Sequence, residues 1–223
     1  MKWCLLLIGI LPVILASCAD NEMKQEKDAE NIYATCVISG NEGDEFVTAV
    51  VQFYSGRLNG PGIALQEPSK IFLGERPFAA DSARVGGVFY EIQVPVEEIT
   101  GKHIIRFIGG NRKEYREEFE FIRLTLAEEV PDVVSKKNLV LLFRDLKDTP
   151  VRVVMMDTSI NGQGVNEIDT IINNRLDLTK FSSMLTSGPV MLQLFTEQER
   201  RLESYNGEIS VTNALKREFE LKD

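Results

Sequence analysis

The chain has 223 residues, of which 34 are acidic, 25 basic and one a histidine, for a formal net charge of −9. Nucleic acid is not an expected partner, because neutralising phosphates takes clustered Lys and Arg, and no basic run of that kind occurs. His103 and Cys36, the one cysteine beyond the N-terminal apolar run and Cys18 at its end, are too few for an ordinary zinc site, and any Ser-His or Cys-His catalytic arrangement would have to use His103.

Met1-Lys2-Trp3 carries one positive charge, residues 4–14 are apolar or Gly/Pro, and Leu15-Ala16-Ser17 precedes Cys18. A charged start, a short apolar core and small residues at a cut site describe a secretory signal peptide. The apolar run is short of the roughly 20 residues of a spanning helix, and Pro12 lies within it. Leu15-Ala16-Ser17-Cys18 resembles the lipobox of bacterial lipoproteins. That resemblance implies cleavage before Cys18, a diacylglycerol on its thiol and acylation of the new amino terminus. Several acyl chains anchor a protein stably where one does so only marginally, so outer-membrane lipid is the first expected partner.

Ala19 stands where an Asp would retain a Gram-negative lipoprotein in the inner membrane, which implies the outer membrane. Ser17 before the cysteine and Asp20, Glu22, Glu26, Asp28 and Glu30 after it are similar to Bacteroidota-type lipoproteins, some of which reach the cell surface. The expected organisation begins with a signal peptide over 1–17 and a lipidated acidic tether over 18–30. Cleavage removes only Lys2 among charged residues, leaving 34 acids against 24 bases. Cys4 leaves with the signal and Cys18 is committed to lipid, so Cys36 has no disulfide partner. It alternates with Ile32, Ala34 and Ile38 and reads as a small buried hydrophobe.

From residue 31 onward period-2 alternation dominates. Val47, Ala49, Val51 and Phe53 share a face, as do His103, Ile105 and Phe107. Gly109-Gly110-Asn111 turns the chain into a returning strand. There Phe119 and Phe121 oppose Arg116, Glu118 and Glu120, a hairpin with one wet face. Shorter strands are expected at 63–66, 70–73 and 88–94, separated by turn residues. Some seven strands in about 95 residues resemble an immunoglobulin-like antiparallel sandwich, placed at 31–125.

Residues 126–137 carry Glu128, Glu129, Pro131 and Asp132 and read as a linker. A second series over 138–223 follows. It opens at 139–143 and continues with alternating Val151, Val153 and Met155, then Val190, Leu192 and Leu194. The final strand alternates Ile209, Val211, Leu215, Phe219 and Leu221 against polar residues. A bulge or bend is expected near Asn213-Ala214, and Arg217, out of place in the inward set, suggests a sheet edge. Residues 177–185 read as the one helical turn of the chain, and a short one. The fold class is therefore all-β, with two sandwich domains in series, resembling tandem immunoglobulin-like lipoproteins.

Chemistry is sparse. Asp157-Thr-Ser-Ile-Asn161-Gly162 resembles the start of a calcium loop, but Ile168 occupies the twelfth position, where a bidentate acid is needed. The pairs Glu97-Glu98, Glu117-Glu118 and Glu128-Glu129 read as solvated faces. No catalytic residue, metal or cofactor is expected. The expected function is a non-catalytic, lipid-anchored envelope protein with a structural or protein-binding role. Loops and sheet edges, first of all residues 57–62 and 157–170, would carry it. Glycan binding is the alternative and requires two or three exposed aromatics on one face; Tyr33, Tyr54, Tyr90, Tyr115 and Tyr205 are the tyrosines, Phe46 and Tyr54 share the face opposite Val47 and Phe53, and Tyr90 lies opposite Phe89. A carboxylate-only hydrolase, needing two acids across a cleft, is the second.

Overall fold

A computed structural model describes residues 24–25, 32–83, 87–158 and 165–223. The signal peptide, Cys18, most of the tether and the central part of the 157–170 segment lie outside the described residues. Along the chain, β1 (Lys24–Gln25) precedes the hairpin of β2 (Ile32–Asn41) and β3 (Phe46–Ser55). Four short strands follow: β4 (Ile63–Ala64), β5 (Lys70–Leu73), β6 (Arg76–Pro77) and β7 (Ala79–Ala83). β8 (Gly87–Pro95) leads through the helical turn α1 (Val96–Ile99) into the hairpin of β9 (Gly101–Ile108) and β10 (Glu114–Phe121). Next come β11 (Val133–Ser135), a 3-10 turn (Lys136–Asn138), β12 (Val140–Leu142), β13 (Thr149–Asp157) and β14 (Val165–Ile172). β15 (Arg175–Asp177) and the helical turn α2 (Thr179–Ser182) precede the two longest strands, β16 (Gly188–Arg201) and β17 (Gly207–Lys222).

The all-β sandwich class expected from the alternation is the class observed. One large sheet runs β14-β13-β16-β17-β2-β3-β8-β7, with β11 beside β17, and a second runs β10-β9-β5-β6. Ile32, Ala34, Cys36 and Ile38 of β2 and Val47, Ala49, Val51 and Phe53 of β3 are buried at alternate positions. They pack against Ile105 and Phe107 of β9 and Phe119 and Phe121 of β10. Phe53 and Phe107 join the layers with ring centroids 5.0 Å apart. Most ladders are antiparallel, but β1–β4, β11–β17 and β17–β2 run parallel. Lys24 and Gln25, part of the expected tether, are thereby paired with Ile63 and Ala64.

The second core lies under the other end of the large sheet. Val151, Val153 and Met155 of β13, Val190, Leu192 and Leu194 of β16, and Leu215, Phe219 and Leu221 of β17 form its floor. The β12–β15 ribbon and Phe181 of α2 cover it. The expected linker is not free chain. Leu126 is buried in this core and bridges Phe143, while Val133–Ser135 is strand β11, parallel to residues 220–222 of β17. Its charged residues face outward and hid the few apolar ones that dock.

β17 serves both cores, although its residues fell wholly within the expected second domain. Residues 207–214 pair with β2, so Ile209 and Val211, with Leu202, lie in the first core. Residues 215–221 floor the second. The expected bulge at Asn213-Ala214 is absent, since β16 and β17 pair without a break from Gly188↔Leu221 to Arg201↔Glu208. The physical reason is that Asn213, 1% exposed, is an inward polar residue with its bonds satisfied. It accepts from the Leu124 N–H at 2.7 Å and donates to the Gly40 carbonyl at 3.1 Å. Arg217 stands where the edge was expected. β2 stops at Asn41↔Ala214 and β11 starts at Glu220. In that gap Arg217 pairs with Glu42 and, at 3.7 Å, with Glu129.

A strand shared by two cores predicts one cooperative unfolding transition in calorimetry. Ile209→Ala and Leu215→Ala each delete a buried side chain, cost about 2–5 kcal/mol, and are expected to lower that same transition. Two transitions, each moved by only one variant, would contradict it.

Candidate functional site

The densest polar cluster lies at the tip of the β16–β17 hairpin. Glu117 of β10 is 1% exposed. Its carboxylate pairs with Arg200 and accepts from the Glu203 N–H at 2.9 Å and the Ser204 N–H at 3.4 Å. Arg200 also donates to the Glu118 carbonyl, capping the outer edge of β10. A buried carboxylate is costly unless paired and fully hydrogen-bonded, and here both conditions hold. This corrects the expectation that the acid pairs lie on solvated faces. Glu118 is exposed, but Glu117 points inward with Tyr115 and Phe119. Its position in the alternation was the available signal; Arg200 lies 83 residues away.

Beside it, Tyr205 packs on Phe107 and Tyr115, with centroids 5.8 and 5.7 Å apart. The Tyr205 hydroxyl lies 3.9 Å from the Cys36 thiol. Burial pushes that thiol up to about 12, against the hydrogen bond with Tyr205, which favours the thiolate. Cys36 is thus a buried, weakly acidic group, as its alternation suggested. The cluster locks one sheet to the other, so it reads as structural.

Other expected features fall as follows. His103 packs on Phe119 at 5.8 Å, and its Nε2 is buried without a hydrogen-bond partner. Glu97 and Glu98 stand in α1 rather than in a strand, both exposed, and pair with Arg123 and Arg76 respectively. Residues 57–62 form a closed turn, with the Ser55 N–H on the Pro61 carbonyl and the Gly60 N–H on that of Arg57. Of the 157–170 segment, 165–170 is not a loop but the start of β14, and Asp157 ends β13. No group of three or more His, Cys, Asp or Glu side chains is arranged to hold a metal ion among the described residues.

Two surfaces remain. The first is the β14 edge. β14 ends the large sheet and pairs only with β13 among the described residues. Ile171 on it is 66% exposed. Arg152 of β13 lies 3.3 Å from Glu167, 3.6 Å from Asp169 and 3.1 Å from Glu197. Asp169 and Glu197 line a shallow depression with Pro150, Thr170 and Glu199. The second surface is the outer face of β2, β3 and β8. Tyr33 and Tyr54 are cross-strand partners there, and Phe89 lies on the same face, opposite Asp81 of β7. Phe46 is also outward, at the far end of β3, opposite Pro95. Tyr90, by contrast, is buried, its hydroxyl accepting from the Leu65 N–H at 2.6 Å.

No protein-family model matches the chain. No curated protein matches it either. Among solved structures, one described as the crystal structure of DIP-gamma IG1+IG2 is similar over 86% of this chain and 95% of that one. The identity is 8% and the TM-score 0.23, a likeness too loose to carry an argument about this chain.

The hairpin-tip cluster makes a graded prediction for chemical denaturation. Arg200→Ala strands the buried Glu117 carboxylate and is expected to cost about 3–5 kcal/mol. Glu117→Gln keeps the acceptor oxygen for the Ser204 and Glu203 N–H groups, and Arg200 can turn to water, so its expected cost is about 1–2 kcal/mol. Equal losses under about 1 kcal/mol would mean that the pair contributes nothing.

Proposed function

We propose that the chain is a non-catalytic lipoprotein, held at the outer membrane by acylated Cys18, that binds an extended segment of an envelope protein along β14. The observation that carries this reading is the outer edge of β14, eight residues long and without a paired strand among the described residues. Such an edge offers unpaired backbone N–H and C=O groups as a template for an added strand. Glu167 and Asp169 are tied to Arg152 rather than set to repel an incoming strand, and Ile171 offers an apolar contact. A hydrolytic role finds less support. The acids around Arg152 are solvent-accessible and share one cation, whereas glycoside chemistry needs one carboxyl with a pKa raised by its surroundings.

Two measurements test the halves of this proposal separately. Metabolic labelling with palmitate is expected to mark the wild-type chain and to be lost in Cys18→Ala; labelling that persists would refute the anchor. A photo-crosslinking residue at Ile171, in intact cells, is expected to give a discrete protein adduct. One at Met184, which is 64% exposed away from that edge, is not. No adduct at Ile171, or the same adducts from both positions, would refute the edge.

A further inference from the structure

We propose that Tyr33, Tyr54 and Phe89, with Thr35 and Gln52 between them, form a binding platform for a neutral glycan chain. This goes beyond the β14 edge, involves other residues, and stands or falls separately from it.

The geometry begins with where the two phenols point. Residues two apart on one face of a strand are about 6.8 Å apart. The Tyr54 hydroxyl nonetheless donates to the Gln52 side-chain oxygen at 2.8 Å, so the Tyr54 ring must lean along its own strand instead of standing up from the sheet. The Tyr33 hydroxyl donates to the Glu208 carboxylate at 3.1 Å. Glu208 is level with Thr35 on the neighbouring strand, so this ring leans the same way, toward the row Glu208–Thr35–Gln52. Both rings are half-buried, with the sheet beneath them. Phe89, also half-buried, lies on β8 one position before Tyr90, the last residue of that strand paired to β3. It extends the same row. Rings lying down on a sheet present a π face, the shape and polarity that fit the C–H face of a pyranose. The Thr35 hydroxyl between them is the orienting polar group such a site uses, Gln52 being the residue that holds the Tyr54 hydroxyl.

Charge selects the class of glycan. The chain is 26% charged, yet three successive cross-strand rows on this face, Thr35–Gln52, Val37–Val50 and Ser39–Thr48, carry no formal charge. The charged groups at their margin are largely acidic. Glu208 lies beyond Thr35, and Asp81 and Glu91 lie on β7 and β8. Arg201 stands opposite Glu208 and offsets it, so a neutral chain meets no repulsion there, whereas an acidic polysaccharide would be opposed by Asp81 and Glu91. Holding both hydroxyls in hydrogen bonds also removes ring freedom before binding, which lowers the entropy cost of association.

The test is native electrophoresis of the full chain, purified in detergent, through gels containing a soluble β-glucan, α-glucan, mannan or galactan, with polygalacturonate as the acidic control. At least one neutral polymer is expected to retard the protein. Tyr54→Ala and Tyr33→Ala are each expected to weaken that retardation about tenfold or more. Tyr54→Phe keeps the ring and most of the binding, and Phe46→Ala, at the other end of β3, leaves it unchanged. Thr35→Arg, an outward substitution that fills the space between the rings without entering the core, is expected to abolish it and guards against a folding defect in the alanine variants. Retardation by none of the neutral polymers, stronger retardation by polygalacturonate, or indifference to Tyr54→Ala and Thr35→Arg would overturn the proposal.

Discussion

The structure depends on one continuous backbone ladder, that between β16 and β17. It runs from Gly188↔Leu221 to Arg201↔Glu208 and underlies two hydrophobic cores in turn. A strand has only two faces and two edges, and β17 uses one face and both edges. Its inward face gives Ile209 and Val211 to one core and Leu215, Phe219 and Leu221 to the other. One edge is taken by β16. The other is divided between β2 and β11. Both added strands run parallel to β17, because its far edge is filled by segments from distant parts of the chain rather than by hairpin returns.

Three polar groups resolve the places where this arrangement would otherwise fail. Where the two cores meet, an inward side chain has to satisfy the Leu124 N–H and the Gly40 carbonyl, and Asn213 has one acceptor and one donor for them. Where β2 has ended and β11 has not begun, Arg217 fills the open edge and is neutralised by Glu42. At the hairpin tip, Glu117 gathers the loop N–H groups while Arg200 caps the edge of β10. Each is a buried or half-buried polar residue with its partners supplied. Each also ties a specific pairing, since a one-residue slip of register would turn it to the wrong face. The same devices leave β14 as the long edge without a cap among the described residues, which is why that strand is the one proposed to receive a partner.

The surfaces left for binding follow from the same layering. The first core is closed on its inner side by the second sheet, so the outer face of β2, β3 and β8 has no layer over it among the described residues. A wet sheet face is ordinarily alternating and charged. This one is neutral along three rows and carries rings that lean onto the sheet. The β14 edge and the ring platform lie toward opposite ends of one large sheet, several strands apart, so occupation of one need not obstruct the other.

Local periodicity determined much of this in advance. Alternation revealed the all-β class, the burial of Cys36, most strand positions and the edge at Arg217; its interruption marked the turn near residues 177–185 but not the second turn, Val96–Ile99. Lys70–Leu73 is a strand as expected, and Gly87–Pro95 is the expected strand lengthened at both ends. These are properties of a strand and its own two faces, which a sequence states directly. What only the tertiary structure decided is which edges meet. The sequence placed 208–222 in one domain, because nothing within a strand records which strand lies beside it. It took Leu126 and Val133–Ser135 for linker, because a segment that docks by a few apolar residues looks much like one that does not dock. It placed Glu117 among solvated acids, because the group that makes its burial tolerable, Arg200, lies far along the chain. Pairing across such distances is settled by the cooperative packing of both cores on one shared strand, a property that no local pattern contains.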